Sequence, residues 1–208
     1  MSISAATATL RTKTLSRMVN FDIRIVSDTV CPWCYIGKKR LEKGIQLYRS
    51  THSDTASNDT FSITWLPFYL NPSAPLTSVD KQEYFVSRFG AERARMITDR
   101  ITQVDERSRY ADARCGRVIA LSFENEGDIT SLDELRGAGV RAGLDEGEVR
   151  EWLESEKGGA EVDAEVLQAK REFVSGVPNF SIQGKFHIEG ADSPEAFVEA
   201  FEKARGLL

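Results

Sequence analysis

The sequence predicts an α/β fold: a small mixed sheet with helices on its faces and a block of helices inserted after the second strand. Three observations predict it. Two segments near the N-terminus alternate apolar and polar residues at strand period, with a helically spaced segment between them. A long region of helical spacing and helix-start signals follows. The chain then closes on two short strand-like segments and a last helix. The order is β-α-β, a helical block, then α-β-β-α.

Each element has its own signal. In Phe21 to Ser27, FDIRIVS, Phe21, Ile23 and Ile25 alternate with Asp22 and Arg24, giving the first strand. SDTVCPWCYIGKK overlaps its end. Ile36, Leu41, Ile45, Leu47 and Tyr48 then recur at near-helical spacing among Lys38, Lys39 and Arg40. Pro32 suits the first turn of that helix, where a missing N–H costs nothing. HSDTASNDT, His52 to Thr60, reads as a polar loop, and FSITWL, Phe61 to Leu66, as the second strand. Pro67, Pro72 and Pro75 make PFYLNPSAP an extended crossing segment.

From Ser78 to about Arg109 the pattern predicts helix, with Phe85 and Phe89 at i, i+4 and Ile97, Ile101 and Val104 continuing the stripe. Ser131 with Glu134, and Asp145 with Glu148, read as capping boxes. Asp163 reads as the N-cap of a helix carrying Val166, Ala169 and Phe173. Val177 to Ile182, a turn at Gln183-Gly184, and Lys185 to Glu189 form a hairpin. Ser193 and Pro194 open the last helix as N-cap and N1, with Phe197 and Phe201 inward and Gly206 just past its end.

The chain has 208 residues, enough for one domain with an inserted subdomain. The reading divides it into a tail over 1–20, a first part of the main domain over 21–77, the helical insertion over 78–160, and the second part over 161–208. Net charge is -5, with no basic block, which argues against nucleic acid as a partner. No apolar run approaches the ~18 residues of a membrane span. Three cysteines, Cys31, Cys34 and Cys115, are too few for a secreted disulfide scaffold, and they point to an intracellular protein whose disulfides are catalytic. The Ser/Thr-rich, acid-poor N-terminus has two readings: a disordered tail with translation starting at Met18, or a mitochondrial presequence. The cytoplasm is the expected compartment under the first reading, the mitochondrion under the second.

Cys31 and Cys34 carry the chemistry. At a helix N-terminus the first backbone N–H groups lack helical partners, and the peptide dipoles favour negative charge. A thiol at Cys31 is then expected to ionise well below its usual range, in the manner of thiols that fall from ~8.5 to about 3.5–7.5. Cys34, one turn on, is expected to be less exposed and to titrate higher. This asymmetry suits disulfide exchange, with Cys31 forming a mixed disulfide and Cys34 resolving it. Pro32 and Trp33 tune the pair. A zinc site would need four ligands, and Cys115, His52 and His187 offer no paired spacing. Val177-Pro178 reads either as a turn before a strand or as a cis-proline loop facing the dithiol, with Gly176 supplying backbone freedom.

SDTVCPWCYIGKKRL, WLPFYLNP and SGVPNF, in this order and spacing, resemble the DsbA-type thioredoxin family, and within it the FrnE-like branch that shades into 2-hydroxychromene-2-carboxylate isomerases and kappa-class glutathione transferases. The resemblance runs from Phe21 to the C-terminus. It implies a thioredoxin-like fold with an all-helical insertion, here shorter than the family's across SRYADARCGRVIALSFENEGDIT. It implies Cys31 as nucleophile, Cys34 as resolving thiol, Pro178 as the cis-proline and Val177 as the backbone that pairs with substrate. Asp28 matches the acidic residue preceding the motif; buried or half-buried, it would relay protons or raise the Cys34 pKa, and exposed, it would only cap the active-site turn. Cys115 is expected to be a buried or incidental thiol.

Three functions follow as expectations. The first is a thiol–disulfide oxidoreductase acting on a disulfide-containing protein or small molecule. The second is a glutathione-dependent isomerase or transferase, which the presence of a second cysteine argues against. The third is a non-enzymatic binding module of the same fold. No bound cofactor and no metal are expected, with glutathione open as a co-substrate; the chain is expected to be a monomer or homodimer without a membrane partner.

Overall fold

The computed structural model describes residues 18–53, 58–74, 77–105, 123, 127–155, 157–172 and 174–206. Its elements are β1 (Asn20–Ser27), α1 (Pro32–Thr51), β2 (Thr60–Pro67), α2 (Lys81–Phe89), α3 (Ala91–Asp105), α4 (Leu132–Arg141), α5 (Glu146–Glu154), α6 (Gly159–Arg171), β3 (Asn179–Ile182), β4 (Phe186–Glu189) and α7 (Pro194–Gly206). Cys115, Phe173 and most of SRYADARCGRVIALSFENEGDIT, the segment expected to be short, lie outside the described residues, as does most of the N-terminal tail.

The four strands form one mixed sheet in the order β2-β1-β3-β4. β1 runs parallel to β2, with Phe21 opposite Phe61 and Ile25 opposite Trp65, and α1 makes the crossover between them. β3 runs antiparallel to β1 and to β4. The β3–β4 turn falls at Gln183-Gly184, where both residues have positive φ (54° and 63°), the backbone of a tight hairpin turn. Alternation along β1 puts Phe21, Ile23 and Ile25 on one face. They join Phe180 and Ile182 of β3, Leu41 and Tyr48 of α1, and Phe197 and Phe201 of α7 in the main core. Each such large apolar side chain contributes roughly 1.5–3 kcal/mol on burial. On the opposite face Val26 packs with Phe68 and with Ala169 of α6. Gly44 permits close contact of α1 with α7: a Cβ there would stand 2.8 Å from the Phe197 Cβ.

Below α1, at the end of the helix away from the cysteines, a buried cluster ties four segments together. The Asp59 carboxylate is fully buried. It accepts from the Val19 N–H at 2.9 Å, from the Tyr48 hydroxyl at 3.0 Å, and from the Arg205 guanidinium of α7.

Four local expectations are corrected. The single helix read from Ser78 to Arg109 is two helices, because Gly90 adopts φ 78° and ends α2; α2 starts at Asp80, whose carboxylate accepts from the Gln82 and Glu83 amides at 2.9 Å each. Ser131 caps α4, but Glu134 turns to the Asp128 amide (2.8 Å) instead of closing the box on Ser131. Asp163 does not open α6. That helix starts at Gly159 behind a left-handed Gly158 packed on Trp152, and Asp163 lies within it, accepting from the Tyr69 hydroxyl at 3.0 Å. Gly206 is the last residue of α7, not the residue beyond it.

Candidate active site

Strand β1 ends at Ser27, and four residues later α1 begins. The intervening loop is held by its own backbone, with the Cys31 amide donating to the Asp28 carbonyl at 3.2 Å. Cys31 is the N-cap of α1 and Pro32 its first helical residue, so the thiol occupies the place where a capping oxygen usually sits. The Cys34 and Tyr35 amides donate to the Cys31 carbonyl at 3.0 and 3.3 Å, closing the first turn. Both cysteines are free thiols.

The two sulfurs differ in electrostatics more than in exposure, since Cys31 is 3% and Cys34 1% exposed. The Cys34 thiol donates to the Cys31 sulfur and holds the Cys31 pKa below the ordinary thiol value. The Cys34 and Trp33 backbone N–H groups at the helix start pull the same way, while burial and the nearby Asp28 carboxylate oppose them. Cys34 is pushed far up, first by that same hydrogen bond to Cys31, then by burial and by the Cys31 charge. The Ser27 hydroxyl draws Cys34 partly back. Ser27 Oγ is buried, and among the described residues it has no hydrogen-bond partner at ordinary geometry beyond this pull on the Cys34 thiol.

The Val177–Pro178 peptide bond is cis. Its loop lies against the dithiol, and the Cys31 thiol points at the Val177 carbonyl, a long contact of 3.8 Å. The close approach depends on Gly37. A Cβ at that position would stand 2.9 Å from the Pro178 ring and 3.0 Å from the Phe180 ring. Trp33 is half-buried beneath the Arg100 guanidinium of α3, 5.2 Å from its ring centre. Two residues on, Tyr35 stacks on Phe123 at 5.3 Å. The helical insertion therefore touches the redox helix directly.

Asp28 is half-buried and bridges two segments. Its Oδ1 accepts from the Val30 amide at 3.1 Å and its Oδ2 from the Leu70 amide, in the crossing segment after β2, at 2.8 Å. It acts on Cys31, whose pKa it raises, and is absent from the causes that raise Cys34. Asp28 therefore combines the half-burial of the first reading with the loop-amide bonds of the second.

Cys31, Cys34, Pro32, Trp33, Asp28, Val177 and Pro178 thus share one site. His52 and His187 do not. His52 is the C-cap of α1, about 30 Å along the helix from Cys31, and stacks on Tyr48. His187 is exposed on β4. Sequence reasoning missed Gly37, Ser27 and Leu70. Gly37 carried a signal, since a glycine one turn inside a helix marks close backbone approach; the other two carried none.

Residues 22–111 and 110–202 match the model of the DSBA-like thioredoxin domain. No curated protein matches the sequence. Among solved structures, the chain resembles a probable DsbA oxidoreductase from Streptomyces coelicolor, at 23% identity and TM-score 0.71, over 89% of this chain and 90% of that one. It also resembles a putative protein disulfide isomerase from Nitrosomonas europaea, at 14% identity and TM-score 0.58, over 88% and 97%. A third is a 2-hydroxychromene-2-carboxylate isomerase, at 14% identity and TM-score 0.55, over 89% and 94%. At these identities the structures bear on fold alone.

Proposed function

Because the chain belongs to the DsbA-like thioredoxin family, we propose that it is a thiol–disulfide oxidoreductase in which Cys31 attacks and Cys34 resolves. The observation that carries this reading is the opposed pull on the two thiols: Cys31 is held low at the N-cap of α1 while Cys34 is held high beside it. The thiolate is the nucleophile in disulfide exchange, and a low-pKa thiol also leaves readily.

The steps balance as follows. The Cys31 thiolate attacks one sulfur of a substrate disulfide, forms a mixed disulfide and expels the other sulfur as a thiolate, which takes up a proton. Cys34 gives up its proton, attacks the Cys31 sulfur, and expels the second substrate thiolate. Two electrons pass from the dithiol to the substrate, and the protein is left with a Cys31–Cys34 disulfide. An external dithiol such as dithiothreitol returns it to the reduced form by the same exchange. Run backwards, the sequence oxidises a substrate dithiol. Charge drives the order of events. Once Cys31 is consumed in the mixed disulfide, its negative charge no longer opposes ionisation of Cys34, so the resolving thiol is released only after attack.

The proposed substrates are disulfides of proteins or small molecules, with the Val177 backbone beside Cys31 as the contact for an extended substrate. Among the described residues no helix is long and apolar enough to cross a membrane; the proposed compartment is the cytoplasm. The test is insulin-disulfide reduction by dithiothreitol. Wild type is expected to accelerate it and Cys31→Ser to lose the acceleration. A folded wild type that gives none would remove the reading.

A further inference from the structure

Helix α3 of the insertion lies against the start of α1. Ile101 packs on the buried pair Tyr35 and Ile36. This apolar contact sets α3 so that the neighbouring Arg100 lies over Trp33, which stands with Pro32 between the two cysteines. The guanidinium carbon is 5.2 Å from the centre of the Trp33 ring. Trp33 is half-buried and Arg100 is exposed. The acid beside it in sequence, Asp99, leans to Arg95 at 3.9 Å. Among the described residues Arg100 has no ion pair.

An arginine beside a dithiol can serve the thiolate or the substrate. The causes of the Cys31 shift are the Cys34 thiol, burial, the Cys34 and Trp33 amides and Asp28; Arg100 is not among them. Its charge is left for the incoming molecule. Resting on the oxidoreductase reading above, we propose that Arg100 is a specificity-determining residue, held over Trp33 to bind a carboxylate next to the substrate's disulfide, so that acidic peptides are the preferred substrates. The guanidinium suits this role because its planar fork of donors matches a carboxylate and it stays charged wherever the thiols react. Contact with the indole orders it before a substrate arrives, so less side-chain freedom is lost on binding. The chain as a whole carries a net charge of -5, which repels anions at a distance. Recognition of an acid at the dithiol has therefore to be local, and an exposed cation beside the cysteines supplies it. The competing role for Arg100 is a cover on the indole, in which the stem matters and the charge does not.

The test uses peptide disulfides that differ only in the residues flanking the reactive cysteine: aspartate, asparagine or lysine. They are offered to wild type, to Arg100→Met, which keeps a stem over Trp33, and to Arg100→Lys, which keeps a charge. Wild type is expected to favour aspartate over asparagine and asparagine over lysine in kcat/KM. Arg100→Met should lower kcat/KM for the aspartate peptide by about three- to five-fold, the scale of one exposed ion pair, through KM more than kcat. It should lower the asparagine peptide far less. Arg100→Lys should keep most of the preference, and about 1 M salt should shrink it as the screening length falls to ~3 Å. Equal losses for all the peptides in Arg100→Met would show a cover on Trp33 and overturn the proposal, as would a wild type that does not favour aspartate. A second readout needs no turnover. The rate of Cys31 alkylation by iodoacetate, which carries a carboxylate, is divided by the rate with neutral iodoacetamide, so that any change in thiolate fraction cancels. That ratio should fall about three-fold in Arg100→Met and hold in Arg100→Lys. If wild type turns over none of the peptides, the oxidoreductase reading fails by itself and the ratio decides Arg100: an unchanged ratio ends the proposal.

Discussion

Cys31 and Cys34 are both buried, so access alone gives no preference for which sulfur reacts. The preference comes from where each proton is held. Alkylation of the reduced protein by iodoacetamide should therefore fall on Cys31, with a midpoint below the ordinary 9.0, while Cys34 stays unmodified across the neutral range. The same asymmetry fixes a sign for stability. Folded Cys31 is ionised at pH values where the unfolded thiol is still protonated, so the unfolded state binds more protons and stability of the reduced form rises with pH toward 9.0. Above 9.0 the unfolded Cys34 loses its proton while the folded one keeps it, and stability turns downward. Denaturant midpoints of wild type against Cys31→Ser and Cys34→Ser across pH 6–10 would separate the two arms. At Ser27 a buried hydroxyl has no well-formed hydrogen bond among the described residues. Ser27→Ala is expected to leave stability unchanged or raise it by up to about 1–2 kcal/mol. The placement of the two cysteines between β1 and α1 was legible in the sequence because the strand alternation ends just before CxxC and Pro32 opens the helix. The bridging of Asp28 to Leu70 was not, because the two residues are 42 positions apart and nothing in either one names the other.

The elements divide between those set by local pattern and those set by contact. β1, α1, β2 and the β3–β4 hairpin were legible because their alternation, their Pro32 start and their Gln183-Gly184 turn are local signals that burial reinforces. The insertion was read less well. Its stripe of apolar residues ran on through Gly90, and periodicity alone does not show where a positive φ will interrupt it. Asp163 read as a helix start because an acid before an apolar run is a capping pattern, yet Gly158 begins α6 earlier by packing on Trp152. α1 makes the sharpest prediction at this scale. Gly37→Ala places a methyl group 2.9–3.0 Å from the Pro178 and Phe180 rings, so the helix or the loop must shift. The expected cost is about 1–3 kcal/mol in denaturant unfolding. A drop in substrate turnover larger than the loss of folded protein should accompany it, because the shift separates Cys31 from the Val177 carbonyl.

At the scale of the whole molecule, α1 joins two sites that do different work. Its N-terminus presents the dithiol, and its C-terminal half packs with α7 and the Asp59 cluster. HSDTASNDT read as a polar loop, and its Asp59 is a fully buried carboxylate whose partners come from the residue before β1, from α1 and from α7. Long-range pairing of this kind leaves no trace in local composition. Asp59→Ala takes a buried carboxylate from the Val19 amide, the Tyr48 hydroxyl and the Arg205 guanidinium, leaving the 3.1 Å bond of Arg205 to the Tyr48 hydroxyl, and is expected to destabilise the fold by about 3–5 kcal/mol. The surviving folded fraction should keep wild-type alkylation of Cys31, measured below the denaturation midpoint, since the cluster lies at the other end of α1. The central claim is that Cys31 attacks and Cys34 resolves. It is tested most directly by trapping: in a Cys115→Ala background, Cys34→Ser and Cys31→Ser are each mixed with a disulfide peptide and weighed intact. A stable mixed disulfide is expected on Cys31 in Cys34→Ser, and no adduct in Cys31→Ser. An adduct on Cys34 in Cys31→Ser, with none in Cys34→Ser, would contradict it.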